Sequence, residues 1–333
     1  VIVQDRLQLL ADWINERQAI YLRKSALERQ PGGNGPEFQN ELDVAAWRDP
    51  TRPDAQGAYY NWSAGALTHD PVLRQYRFCN VYREQDSVTK WINDNIRVPY
   101  ADNENLWFML CVARWINWPA TLAELIATTG AWPTDDRLFT PEYMLSALNS
   151  RAGRGEKLFT GAYMITNGGT SQPKQQYVVR NVLEVLWNNR HDWQHLNGPG
   201  DDTMEGVHSY FTSGAFPGMG SFMAGQVTTD MRHTRYLKDA PDAATWAAMG
   251  PGSRRGLNRL HGRPTDAPLR QASGVLELLG VRDALADQGL LADWAPLPEL
   301  TDLQNCLCEY DKYMRVRLGE GRPRALYVPG RGH

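Results

Sequence analysis

Residues 215–233 read AFPGMGSFMAGQVTTDMRH, and this stretch decides the fold class. Gly218, Met219 and Gly220 are followed four residues later by Ala224, a glycine–apolar–glycine turn leading into a segment whose fourth residue must be small. Such a pattern predicts a tight glycine hairpin between two helices. Its glycines let the backbone approach a phosphate, and the exposed N–H groups that open the next helix can receive it. The plainer reading is an ordinary helix–helix turn in which Ser221 caps the second helix.

Thirty-two residues after Gly218, the run MGPGSRRGLNRLHGR repeats similar spacing with Gly250, Gly252 and Gly256, now interleaved with Arg254, Arg255, Arg259 and Arg263. Between Thr228 and Arg263 the chain carries seven basic residues (Arg232, Arg235, Lys238, Arg254, Arg255, Arg259, Arg263) against Asp230, Asp239 and Asp242, a local excess of four positive charges. The whole chain of 333 residues has a formal net charge of -3. Bulk attraction to a polyanion is therefore excluded, and any nucleic-acid contact has to be a local patch. Arginine beside a glycine loop suits forked contact with phosphate oxygens, the alternative being a solvated face in a chain that prefers Arg to Lys.

Within the hairpin segment, Asp230 lies a little over three helical turns beyond Gly218, with Gln226 one turn earlier on the same face. A carboxylate there can accept a proton or stabilise a developing cation, or it can pair with Arg232 or Arg235. Upstream, YRFCNVYREQDSVTKWI (76–92) sets Asn80, Arg83 and Asp86 at intervals of three, which predicts a polar stripe on an otherwise buried helix. The segment KLFTGAYMITNGG (157–169) brings Thr160 and Tyr163 among small and apolar residues, either a base pocket or a packed turn.

Elsewhere the apolar spacing is helical. Leu7, Leu10, Trp13 and Ile14 share a face; an aromatic-rich helix from 105 meets Pro119, which begins another; residues 176–190 are rich in β-branched side chains yet keep a helical period; and Leu303 to Leu318 form a last amphipathic helix. No GxxxxGK[ST], HExxH or GxSxG occurs, so a phosphate-binding P-loop is not expected. His191 and His195 stand four apart but lack a third ligand, and Cys79, Cys111, Cys306 and Cys308 do not space a metal or iron–sulfur site. No metal and no cofactor are expected. Apolar runs are too short for a membrane span and the first residues carry no export pattern, which predicts a cytoplasmic protein. Glycine- and proline-rich breaks near 29–41 and 47–57 suggest an N-terminal helical appendage over 1–70 and one helical body over 71–333.

In this order, RFCNVYREQDSVTKWI, FTGAYM, FPGMGSFMAGQVTTDM and GPGSRRGL resemble the phage thymine-hypermodification family. That family comprises alpha-glutamyl/putrescinyl-thymine pyrophosphorylases, related amino acid:DNA transferases, and the helical domain of 5-hydroxymethyluracil DNA kinases. The resemblance covers roughly residues 74–327. It implies an all-α fold similar to helix-hairpin-helix DNA glycosylases, acting by base flipping on a modified thymine in double-stranded DNA. The implied reaction is transfer of an amino acid or polyamine to (pyro)phosphorylated 5-hydroxymethyluracil, with (pyro)phosphate leaving. Carried onto this chain, Gly218, Gly220 and Ser221 hold the DNA backbone, with Gly250, Gly252 and Arg259 as further DNA contacts. Arg254 and Arg255 stabilise the departing phosphates, and Asp230 serves as base or ammonium anchor. Asn80, Arg83 and Asp86 complete the cleft, and Thr160, Tyr163 and Gln226 line the substrate pocket. Alternative readings are a 5-hydroxymethyluracil DNA kinase, a glycosylase, and a DNA-binding module without catalysis.

Overall fold

The computed structural model describes residues 2–28, 67–128, 130–161, 163–193, 203–323 and 326–327. Among them the regular elements are helical, with only two isolated β-bridges, and none of the helices is long and apolar enough to cross a membrane. The chain divides into two compact units, one formed by residues 1–86 and 249–333, the other by 87–248.

In the first unit, α1 (Gln4–Glu28) buries Leu7, Leu10, Ala11, Trp13 and Ile14, the face expected from their spacing. A short α2 (Pro71–Gln75) is capped by Asp70, whose Oδ1 accepts the N–H groups of Val72 and Leu73 at 2.8 and 2.9 Å. The polar stripe expected on a helix over 80–86 does not form as such. Residues 77–82 are irregular, and only Arg83–Gln85 make a 3-10 turn. Side chains take the place of helical partners there: Arg17 donates to the carbonyls of Phe78 and Cys79, and Glu309 accepts the Cys79 N–H at 2.9 Å.

The later helices of the second unit fix its core. Ser87–Ile92 is α3, continued by a π-helical turn over Asn93–Arg97. All eleven residues of α4 (Leu106–Ile116) are buried, the signature of a helix at the centre of a core. It ends at Asn117 in the left-handed conformation (φ 46°), which Asn tolerates, and Pro119 starts α5 (Pro119–Ala127) two residues later. Then follow α6 (Pro141–Gly153), α7 (Lys174–Tyr177) and α8 (Glu184–Asn188), the last two joined by a π-helical segment, Val178–Leu183. The β-branched stretch is thus helical, widened where Val178, Val179, Val182 and Leu183 crowd into the core. The unit closes with α9 (Arg190–Trp193), α10 (Met204–Phe211) and α11 (Ser221–Met231).

Returning to the first unit, α12 (Pro251–Leu260), α13 (Gln271–Asp287) and α14 (Leu300–Arg317) pack with α1. The layout therefore differs from the expected split at residue 70: α1 is part of a core built with the C-terminal helices, and 87–248 form a body of their own. The breaks at 29–41 and 47–57 and His195 lie outside the described residues.

Candidate functional site

The turn at 216–220 lies between α10 and α11, which pack on each other. Gly218 has φ +77°, and a Cβ there would stand 2.8 Å from Trp115 of α4 and 3.2 Å from Val182 of the π-helical segment. Both conformation and space require glycine. Gly220 is the cap residue of α11, has open space where a side chain would stand, and supplies no side-chain cap to the first turn. Ser221 begins the helix but does not cap it. Its carbonyl accepts from His208 Nε2 at 3.2 Å, a link between α10 and α11. Burial pushes the His208 imidazole below its ordinary value, which keeps it neutral. Ala224 is fully buried, as the small fourth position demands.

Beside this turn Tyr163 donates from its hydroxyl to Gln226 Oε1 at 2.9 Å, so two expected pocket residues are brought together. Thr160 is half-buried, and its N–H donates to the carbonyl of Ile116.

Asp230 stands elsewhere in its environment than a proton acceptor should. It is completely buried, and both oxygens face Arg114 of α4: Oδ2 takes Nε, and Oδ1 takes Nη2 at 2.6 Å. Arg114 is itself 2 % exposed and also donates to Thr89 Oγ1 at 3.0 Å and Asn117 Oδ1 at 3.2 Å. The partner that fixes both oxygens is Arg114, which the sequence reading did not name. Arg235 instead donates to the carbonyls of Asp102 and Asn103. A carboxylate held by a forked guanidinium in a dry core is poorly placed to take a proton from a substrate. The base assignment is corrected to a positioning one: Asp230 fixes α11, and with it the glycine turn, against α4.

In the first unit the glycines of the second motif pack helices. A Cβ at Gly252 would collide with Cys308 Sγ, and one at Gly256 would stand 2.5 Å from the carbonyl oxygen of Leu307, so these residues let α12 lie close on α14. The Cβ side of Gly252 is therefore taken up by the packing of α12 on α14, while the residue itself is half-buried. Gly250 caps α12, and Gln304 holds that end through Ser253 Oγ at 3.0 Å.

The arginines of this motif have different fates. Arg255 Nε and Arg259 Nε share the two oxygens of the buried Asp311 at 3.0 and 2.7 Å, and Arg259 also pairs with Glu320. Arg263 is paired with Glu277. The positive excess read along the sequence is therefore largely cancelled, and Arg259 is a structural cation, not a surface contact for DNA. Arg254 makes no ion pair among the described residues, and its Nε is buried without an acceptor.

Asn80 is committed as well: its Oδ1 accepts from Arg17 Nη2 at 2.6 Å, and its Nδ2 donates to the carbonyl of Gln85 at 2.9 Å. Arg83 donates its backbone N–H to Asp302 Oδ1 at 2.9 Å, and the Asp86 N–H closes the turn onto the carbonyl of Arg83. Burial pushes the Asp302 carboxyl up to about 6, with the Arg83 N–H pulling the other way. Of the three residues expected in one cleft, the Asn80 side chain thus ties its own loop to α1, and the backbone of Arg83 is anchored on Asp302. Sequence reasoning missed Arg114, His208 and Phe222. Arg114, an arginine amid the apolar run LWFMLCVARWI, is the one whose pattern signals a buried partner.

No group of His, Cys, Asp and Glu among the described residues is arranged to hold a metal. In comparison with known proteins, the family model described as the helical domain of 5-hmdU DNA kinase matches residues 51–322. No curated protein and no solved structure matches the chain.

Proposed function

Because the chain belongs to the 5-hmdU DNA kinase helical-domain family, and so to the modification of 5-hydroxymethyluracil in DNA, we propose that it transfers an amino acid or polyamine to (pyro)phosphorylated 5-hydroxymethyluracil. The observation that carries the DNA side of this reading is the turn at Gly218–Ser221. It presents an uncapped helix N-terminus next to the Tyr163–Gln226 pair, an anion site with a polar edge suited to a pyrimidine beside it. In the displacement, the amine nitrogen bonds to the exocyclic methylene as the C–O bond breaks. The electron pair leaves on (pyro)phosphate, and the surplus proton on nitrogen passes to water. Backbone N–H groups from Ser221 onward hold a DNA phosphate, and Thr160, Tyr163 and Gln226 face the base. In the first unit taken by itself, Arg254 makes no ion pair among the described residues and is a phosphate contact of its own.

The family's description also admits a second reading, phosphate transfer from a nucleotide to the 5-hydroxymethyl oxygen. Two incubations separate them. DNA containing 5-hydroxymethyluracil is mixed with ATP, pyrophosphorylated DNA is mixed with a pool of amino acids and polyamines, and the nucleosides are read by mass spectrometry. An amine adduct in the second supports the transferase. A phosphorylated base in the first, with no adduct in the second, overturns it in favour of the kinase.

A further inference from the structure

Phe222, the second residue of α11, is 44 % exposed although it is aromatic and sits on a well-packed helix. Its ring is held edge-to-face by Tyr163, centroids 5.0 Å apart and planes at 88°. The Tyr163 hydroxyl is in turn tied to Gln226, one helical turn beyond Phe222 on the same face. Next to Tyr163 in the chain, Met164 is 80 % exposed, so the apolar surface continues past the pair. An aromatic ring fixed in orientation and left open to solvent is a stacking surface in waiting.

We propose that Phe222 is the platform on which one unstacked nucleobase rests while the DNA backbone is held at the Gly218–Ser221 turn. The inference rests on the DNA reading above and deepens it by naming the residue that receives the base. Its occupant follows from the DNA reading: Phe222 directly follows Ser221 in the first turn of α11, so a DNA strand held at that turn has a base within reach of the ring. Stacking is tolerant of base identity, so Phe222 supplies grip. Discrimination of the modified pyrimidine falls to the polar Tyr163–Gln226 edge.

The test compares a plain duplex oligonucleotide with the same duplex carrying a single bulged 5-hydroxymethyluracil, using the full chain and fluorescence anisotropy. The wild-type protein is expected to prefer the bulged duplex about tenfold, within the range of a base–aromatic stack. Phe222→Ala and Phe222→Leu should lose that preference yet bind the plain duplex as before, with an unchanged salt dependence, since the phosphate contacts are intact. Leucine keeps an apolar contact with Tyr163, which guards against a loss that merely reports local unfolding. Phe222→Trp should keep the preference. Equal binding of both duplexes by the wild type, or a preference that survives in the Ala and Leu variants, overturns the stacking role while the DNA reading stands. Failure of the wild type to bind either duplex overturns both.

Discussion

Replacing Asp230 by Asn takes one charge from a pair that is 2 % and 0 % exposed. The amide retains one acceptor for Arg114 but turns a donor toward the second guanidinium nitrogen. Thr89 and Asn117, two further partners of Arg114, are neutral and cannot balance the charge. Breaking a buried pair on one side costs about 3–5 kcal/mol, because the surviving ion keeps its desolvation penalty. For a body the size of residues 87–248, each kcal/mol moves the melting temperature by about 2–4 °C, so the loss amounts to about 6–20 °C. Thermal melting followed by circular dichroism measures it, with urea unfolding as a check on the slope. Replacing both partners, Arg114→Met with Asp230→Leu, should recover most of the loss, since no lone charge then remains. An Asp230→Asn protein that melts with the wild type but no longer modifies DNA would refute the positioning role and restore the carboxylate as proton acceptor.

Gly218→Ala forces a side chain into left-handed backbone against Trp115. It should cost at least about 1–2 kcal/mol from the backbone alone, and DNA affinity should fall with it, as titration of a labelled duplex would show. Arg254→Gln should leave the melting temperature within about 1 °C and weaken binding of pyrophosphorylated over unmodified DNA, because that guanidinium makes no ion pair among the described residues. Arg259→Gln should do the reverse, lowering stability by removing one of the arginines that hold Asp311 and the arginine of α12 that pairs with Glu320, with unfolding midpoints as the measure. Asp302 has a folded value raised to about 6 against about 3.9 unfolded, so the native state binds more protons between these values. Stability should fall by about 2 kcal/mol as pH rises from 4 to 6, and Asp302→Asn should flatten that part of a pH–stability curve.

Helix content and the glycine turn were legible because each is written locally. Apolar period marks α1, α4 and α14, and a small residue at 224 is needed wherever a helix springs from a turn as tight as 218–220. The loop at 77–86 was not legible, since its polar spacing fits a helix. What prevents one is the side chains of Arg17 and Glu309, 61 or more residues away in sequence, binding the backbone of Phe78 and Cys79. Asp230 was misread for the same reason: its partner lies 116 residues upstream, and a carboxylate's role is set by what faces it, not by its distance from a motif.

The arginines of SRRGLNR carry this furthest. Arg254, Arg255 and Arg259 are chemically identical and lie within six residues, yet helical geometry divides them. Residues 255 and 259 are one turn apart on the face that meets α14, where Asp311 lies between them. Arg254 points about a quarter turn away and misses that carboxylate. The two glycines that let α12 approach α14, at 252 and 256, also bring Asp311 within reach of Arg255 and Arg259. Widening that contact, as Gly256→Ala would do, should loosen both ion pairs together and raise the positive charge available at the surface. On this reasoning the glycine–arginine motif balances charge as well as presenting it, and among the described residues Arg254 is left outside the ion pairs that hold Arg255 and Arg259.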